Sequence, residues 1–123
     1  MVQTNTMRNK IKLMLIGSDD SIKSRFSQTP IIFESHNYMK IFEKIVDESP
    51  TGIIIFRSAN EDYDKFLTVK LYSFFLAAMS QMPRIVIVGY DTSVLSRIES
   101  TFCTFFEFNE NCFENLNSFP WIP

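Results

Sequence analysis

Chemistry in this chain has to come from few residues: one histidine (His36), two cysteines (Cys103 and Cys112), an adjacent acid pair (Asp19-Asp20) and Arg57. A metal centre needs several N, O or S ligands at short spacing. His36 has no Cys, His or Asp at such a spacing and reads as a surface or loop histidine. A nucleophile needs a base, yet the lone histidine follows the second apolar run and no Gly-x-Ser-x-Gly elbow is present. Cys103 falls mid-strand, a core position; Cys112 reads as the more exposed thiol and lacks a basic neighbour. The phosphate-loop and dinucleotide fingerprints are absent. Gly17-Ser18-Asp19 comes nearest, and the two acids argue against an anionic phosphate there. The expectation is a protein that is not an enzyme and carries no metal and no cofactor.

The elements that would position these residues alternate along the chain. Ile11 to Ile16 reads as a buried strand, closed by Gly17-Ser18-Asp19-Asp20, where Ser18 or Asp19 can cap a short helix with Ile22 and Phe26 inside. Pro30 opens the run Ile31-Ile32-Phe33, and Tyr38, Ile41, Phe42 and Ile45 follow at helical spacing. Ile53-Ile54-Ile55-Phe56 is the clearest strand, β-branched and suited to burial on both faces. The longest helix is expected over Tyr63 to Met82, ended by Pro83. Ile85 to Val88 is another doubly buried run closed by Gly89; Thr92 or Ser93 then starts a helix, and Thr101 to Phe108 is a last strand. After Asn109, about one helical turn (Cys112 to Leu116) precedes Pro120 and Pro123. Apolar runs rather than alternation imply a parallel sheet covered on both faces: one doubly wound α/β domain over residues 1–123, with a short or missing fifth helix.

Composition sets the bounds. With 123 residues, 46% of them apolar and 13 of them Phe, the chain can fill a core, which excludes a mainly disordered protein. A formal net charge of −2 gives no basic field for nucleic acid. No run approaches about 18 apolar residues, so no membrane span is expected. Two cysteines behind a polar first dozen residues read as free thiols in a reducing compartment, the cytoplasm.

The stretch Tyr38 to Ile45, the Pro50 break, Ile53 to Phe56 and Met82-Pro83-Arg84-Ile85-Val86-Ile87-Val88-Gly89 resemble the second helix, third strand and fourth strand of the CheY-like receiver domain of response regulators. That resemblance implies a flavodoxin-like fold of five parallel strands in the order 2-1-3-4-5. In that family two acids after the first strand hold Mg²⁺ and a carboxylate ending the third accepts a phosphoryl group. A Thr/Ser after the fourth strand and a Lys after the fifth contact that group. Here those positions fall on Gly17 and Ser18 (with Asp19 and Asp20 a residue or two on), Phe56 or Arg57, Val88, and Glu107 or Phe108. No Lys or Arg follows Arg97. The resemblance therefore implies a pseudo-receiver, a signalling module that works without phosphorylation. Arg57 either tethers Asp19 or binds an anion.

Receiver relatives meet partners through their fourth helix, fifth strand and fifth helix, which here implies Tyr90, Val94, Leu95, Ile98 and Phe105. The long helix adds to this, because it carries two apolar stripes where one suffices to lie on a sheet. The first is Leu67, Leu71, Phe74, Phe75, Ala78 and Met82; the second is Phe66, Val69, Tyr72, Leu76 and Met79. Phe66, Tyr72 and Trp121 join the candidate surface for a protein partner of unknown identity, with a homodimer as the alternative. Phe113, Leu116, Phe119, Trp121 and Ile122 either replace the fifth helix or dock on another subunit. The other readings are a small-ligand or enzymatic domain using the loops Gly17–Asp20, Arg57–Asp62 and Gly89–Ser93, and a structural subunit whose phenylalanines form an oligomer interface.

Overall fold

The computed structural model describes residues 11–18, 20–26, 31–78, 83–90, 103–106 and 108–121. Its centre is a parallel sheet of β1 (Leu13–Ile16), β2 (Ile31–Glu34), β3 (Gly52–Phe56) and β4 (Arg84–Val88) in the order β2-β1-β3-β4. A further strand, β5 (Cys103–Phe106), pairs in parallel with β4, Ile85 opposite Cys103 and Val88 opposite Phe106. The arrangement is α/β and consistent with a flavodoxin-like fold.

Each strand points alternate residues to opposite faces, and each face has its own core. Met14, Ile16, Ile53, Ile55, Ile85 and Ile87 meet Ile41 and Ile45 of helix α1 (Tyr38–Glu48) and Leu67, Leu71 and Phe75 of helix α2 (Glu61–Ala78). On the reverse face Leu13, Leu15, Ile54, Phe56, Val86 and Val88 meet Phe26, Trp121 and helix α3 (Cys112–Asn117). Burial on both faces is what continuous Ile/Val runs provide.

Helices α1 and α2 begin where polar side chains cap them. Asn37 Oδ1 accepts from the backbone N–H groups of Met39 (3.0 Å) and Lys40 (3.3 Å), and Ser49 closes α1 with φ 49°, donating its N–H to Ile45 O at 2.9 Å. Helix α2 starts two residues before the expected Tyr63, because Asn60 Oδ1 accepts from Tyr63 N–H at 3.0 Å. Glu61, Asp62 and Asp64 then suit the positive end of the helix dipole. The chain after β1 is a 3₁₀ helix, Asp20–Arg25, with Phe26 buried beneath it. The helix expected from Thr92 lies outside the described residues.

The last segment covers the reverse face of the sheet. Trp121, expected on a partner surface, is buried: its ring lies over Gly52 and its indole N–H donates to Leu116 O at 3.0 Å. Cys112, expected as the more exposed thiol, is buried as well, because the first turn of α3 turns it inward with Phe113 and Leu116. The reason is common to both. A six-residue α3 is too short to cover β1 and β3 alone, so the irregular chain behind it contributes its largest side chain. The Cys103 side chain is outside the description.

Candidate functional site

The carboxyl ends of β1, β3 and β4 open onto a cleft of about 680 Å³, the edge where open parallel sheets bind ligands. Gly17, Ser18, Arg57, Ser58, Ala59 and Gly89 contribute its loops, and Ile22, Phe56, Val88 and Phe108 its apolar walls. Both glycines have positive φ, 86° at Gly17 and 111° at Gly89. Their missing side chains leave room for neighbours: a Cβ on Gly17 would strike the His36 ring, and one on Gly89 would lie 2.7 Å from Arg57 Cβ.

Arg57 is exposed and follows β3 directly. Its guanidinium carbon sits 4.8 Å above the Tyr90 ring, and Nη1 donates a long 3.5 Å bond to Gly89 O. Among the described residues it makes no ion pair; the pairs present are Lys12–Glu48 and Lys65–Glu61. Asp19, the acid offered as its tether, lies outside the described residues, as does Glu107. Ser18 is partly buried at the mouth, while Val88 is fully packed in the sheet. Phe56 is buried and meets Phe108 edge-on at 6.5 Å between centroids. No group of three His, Cys, Asp or Glu side chains able to hold a metal is present among the described residues.

Beneath the cleft lies a polar network that sequence reasoning missed. Asp64 is buried, and its Oδ2 accepts from the Tyr90 hydroxyl at 2.5 Å and from Ser58 N–H at 2.9 Å. Thr68 Oγ1 donates to the Asp64 carbonyl at 2.8 Å, and Asp64 Oδ1 has no partner among the described residues. Burial first, and the bond to Asp64 second, push the Tyr90 phenol far above its ordinary value of 10.0. Beside it, His36 Nε2–H donates to Phe56 O at 2.7 Å, which fixes the tautomer, and the Tyr63 hydroxyl donates to His36 O. His36 lies in the loop after β2, in keeping with its reading as a surface or loop histidine, but it is half-buried and braces that loop against the end of β3. The missed signal was spacing: Asp64, Leu67, Thr68, Leu71 and Phe75 fall at 0, 3, 4, 7 and 11, placing two polar residues on the buried face of α2.

The candidate partner residues separate. Tyr90, expected to face a partner, is buried under Arg57 because its ring completes the core between β4 and α2. Phe66 is 43% exposed, and Val69 and Leu76 stand out with it, so much of the second stripe of α2 faces outward; Tyr72 is half-buried. Met39 and Val46 of α1 are exposed too, and Tyr38 meets Phe66 edge-on at 5.8 Å. Phe42 and Phe74 stack at 5.1 Å beneath this surface. Val94, Leu95, Ile98, Met79 and the Phe105 side chain lie outside the described residues. No described helix is long and apolar enough to cross a membrane.

Comparison with known protein families, curated proteins and solved structures found no match.

Proposed function

We propose that this chain is a pseudo-receiver: a non-enzymatic signalling module that keeps a receiver-like scaffold and acts through protein–protein contacts without phosphorylation. The observation that carries the reading is the end of β3. Where a receiver presents its acceptor carboxylate, this chain presents a buried Phe56 and then Arg57, whose guanidinium rests on Tyr90. Neither side chain forms an acyl phosphate, and Arg57 places positive charge where Mg²⁺ would need oxygen ligands. Val88 occupies the hydroxyl position, and no basic residue follows Arg97 to replace the lysine. The order 2-1-3-4-5 that the family implies is supported by the parallel pairing of Cys103–Phe106 with β4.

The exposed stripe of α2, Phe66, Val69 and Leu76, is the contact surface in this reading. The test uses the full chain as bait in extracts of its native cell, with and without Mg²⁺ and a small phosphodonor. The expected result is the same bound protein under both conditions, lost with the double variant Phe66→Ser/Leu76→Ser. Binding that appears only with the phosphodonor contradicts the reading. If light scattering instead gives a closed oligomer that the same double variant dissociates, the stripe serves self-association.

A further inference from the structure

We propose that the cleft at the carboxyl ends of β1, β3 and β4 binds a planar aromatic monocarboxylate, its carboxylate on Arg57 and its ring against Phe108. The inference goes beyond the signalling reading and does not depend on it.

Charge and shape together select the ligand class. Arg57 is the cation lining the cleft; its guanidinium makes no ion pair among the described residues and only the long bond to Gly89 O, so donors remain for a carboxylate. Stacking on Tyr90 holds the guanidinium in place, which lowers the ordering cost of binding. A single anion suits the surroundings better than a dianion, because Asp19 and Asp20 adjoin Ser18 in sequence and Glu61 and Asp62 follow the Arg57 loop. The apolar half is equally specific. Phe108 lines the cleft yet stays 64% exposed, and its ring stands nearly perpendicular to those of Phe56 and Phe113, at 6.5 and 6.2 Å between centroids. A flat ring laid against its exposed surface removes that surface from water and continues the wall of Phe56, Val88 and Ile22. About 680 Å³ exceeds what a lone inorganic anion fills and lies within the range of small-molecule sites.

The probe is 2-naphthoate, titrated into the isotope-labelled full chain and followed by amide chemical shifts. The neutral 2-naphthalenemethanol and the dianionic 1-naphthyl phosphate serve as comparisons. The expected result is saturable shifts at Gly17, Ser58 and Gly89 with a Kd on the order of 1 mM. Arg57→Gln should weaken binding about tenfold or more; because Arg57 is exposed, spectral dispersion should show that this variant folds. Phe108→Leu, which keeps apolar bulk but removes the flat face, should weaken it as well, and both comparison compounds should bind less tightly. Absence of saturation by ~10 mM overturns the proposal. So do shifts confined to another face, equal affinity for the neutral alcohol, or an Arg57→Gln variant that binds as the parent does. None of these results bears on phosphorylation, so failure here leaves the signalling reading to its own test.

Discussion

Tyr90, Asp64 and Ser58 form a buried bridge between the end of β4 and the start of α2, and one carboxylate oxygen accepts from both partners. Removing the phenol oxygen in Tyr90→Phe leaves a buried acid with one fewer donor, and the expected loss is about 1–3 kcal/mol in urea unfolding. The same pair sets an alkaline limit. The folded chain holds the Tyr90 proton far above the ordinary 10.0, whereas the unfolded chain releases it from there upward. The unfolded state then binds fewer protons, so this contribution is whole below about pH 10 and falls as pH rises further. Unfolding midpoints followed from neutral pH into that range should show a shallower alkaline decline for Tyr90→Phe than for the parent. Gly52 makes a second residue-scale prediction. A Cβ there would strike Trp121 Cε3, so Gly52→Ala should cost about 1–3 kcal/mol through displacement of the indole. Quenched or shifted Trp121 fluorescence should accompany that loss. Neither contact was legible beforehand. Asp64 reads as loop polarity until its spacing with Thr68 and Leu71 is counted, and nothing local ties Trp121 to a glycine 69 positions earlier.

At the scale of elements, the strands were the most legible part, since Ile53-Ile54-Ile55-Phe56 and Ile85-Val86-Ile87-Val88 admit few uses other than doubly buried strands. The ends were less so: Asn60 moves the start of α2 back to Glu61, and the turn after β1 is 3₁₀ rather than α. The first difference comes from a local side-chain-to-backbone bond that apolar periodicity does not encode. The two stripes of α2 were legible as a pair, while their division between core and surface was not, because that depends on where α1 lies. Leu67, Leu71 and Phe75 are sealed against the sheet, and Phe66, Val69 and Leu76 face outward. Leu76→Ser should therefore change unfolding free energy by within about 0.5 kcal/mol, as surface substitutions do, whereas Phe66→Ser, which also removes the edge-on contact with Tyr38, should cost about 0.5–1.5 kcal/mol more. Leu71→Ala, in the sealed stripe, should cost about 2–5 kcal/mol. A large loss from Leu76→Ser would place that stripe inside the fold and remove it as a docking surface.

For the whole molecule, the proposal is of a receiver-like scaffold that works without phosphorylation. The parallel sheet, its two separate cores and its open carboxyl edge can be derived from the apolar runs and the breaks between them. The edge itself carries Phe56, Arg57 and Val88, with an aromatic-walled cleft around them. The reach of the sequence ends there: residue types at the strand ends motivate the proposal of a phosphorylation-independent module, but the stacking of Arg57 on Tyr90 and the exposure of Phe108 depend on three-dimensional packing. The measurement that tests the account most directly is the intact mass of the full chain after incubation with Mg²⁺ and acetyl phosphate, read before and after mild base. The account predicts an unchanged mass throughout. A gain of one phosphoryl group, lost again in base as an acyl phosphate would be, contradicts it.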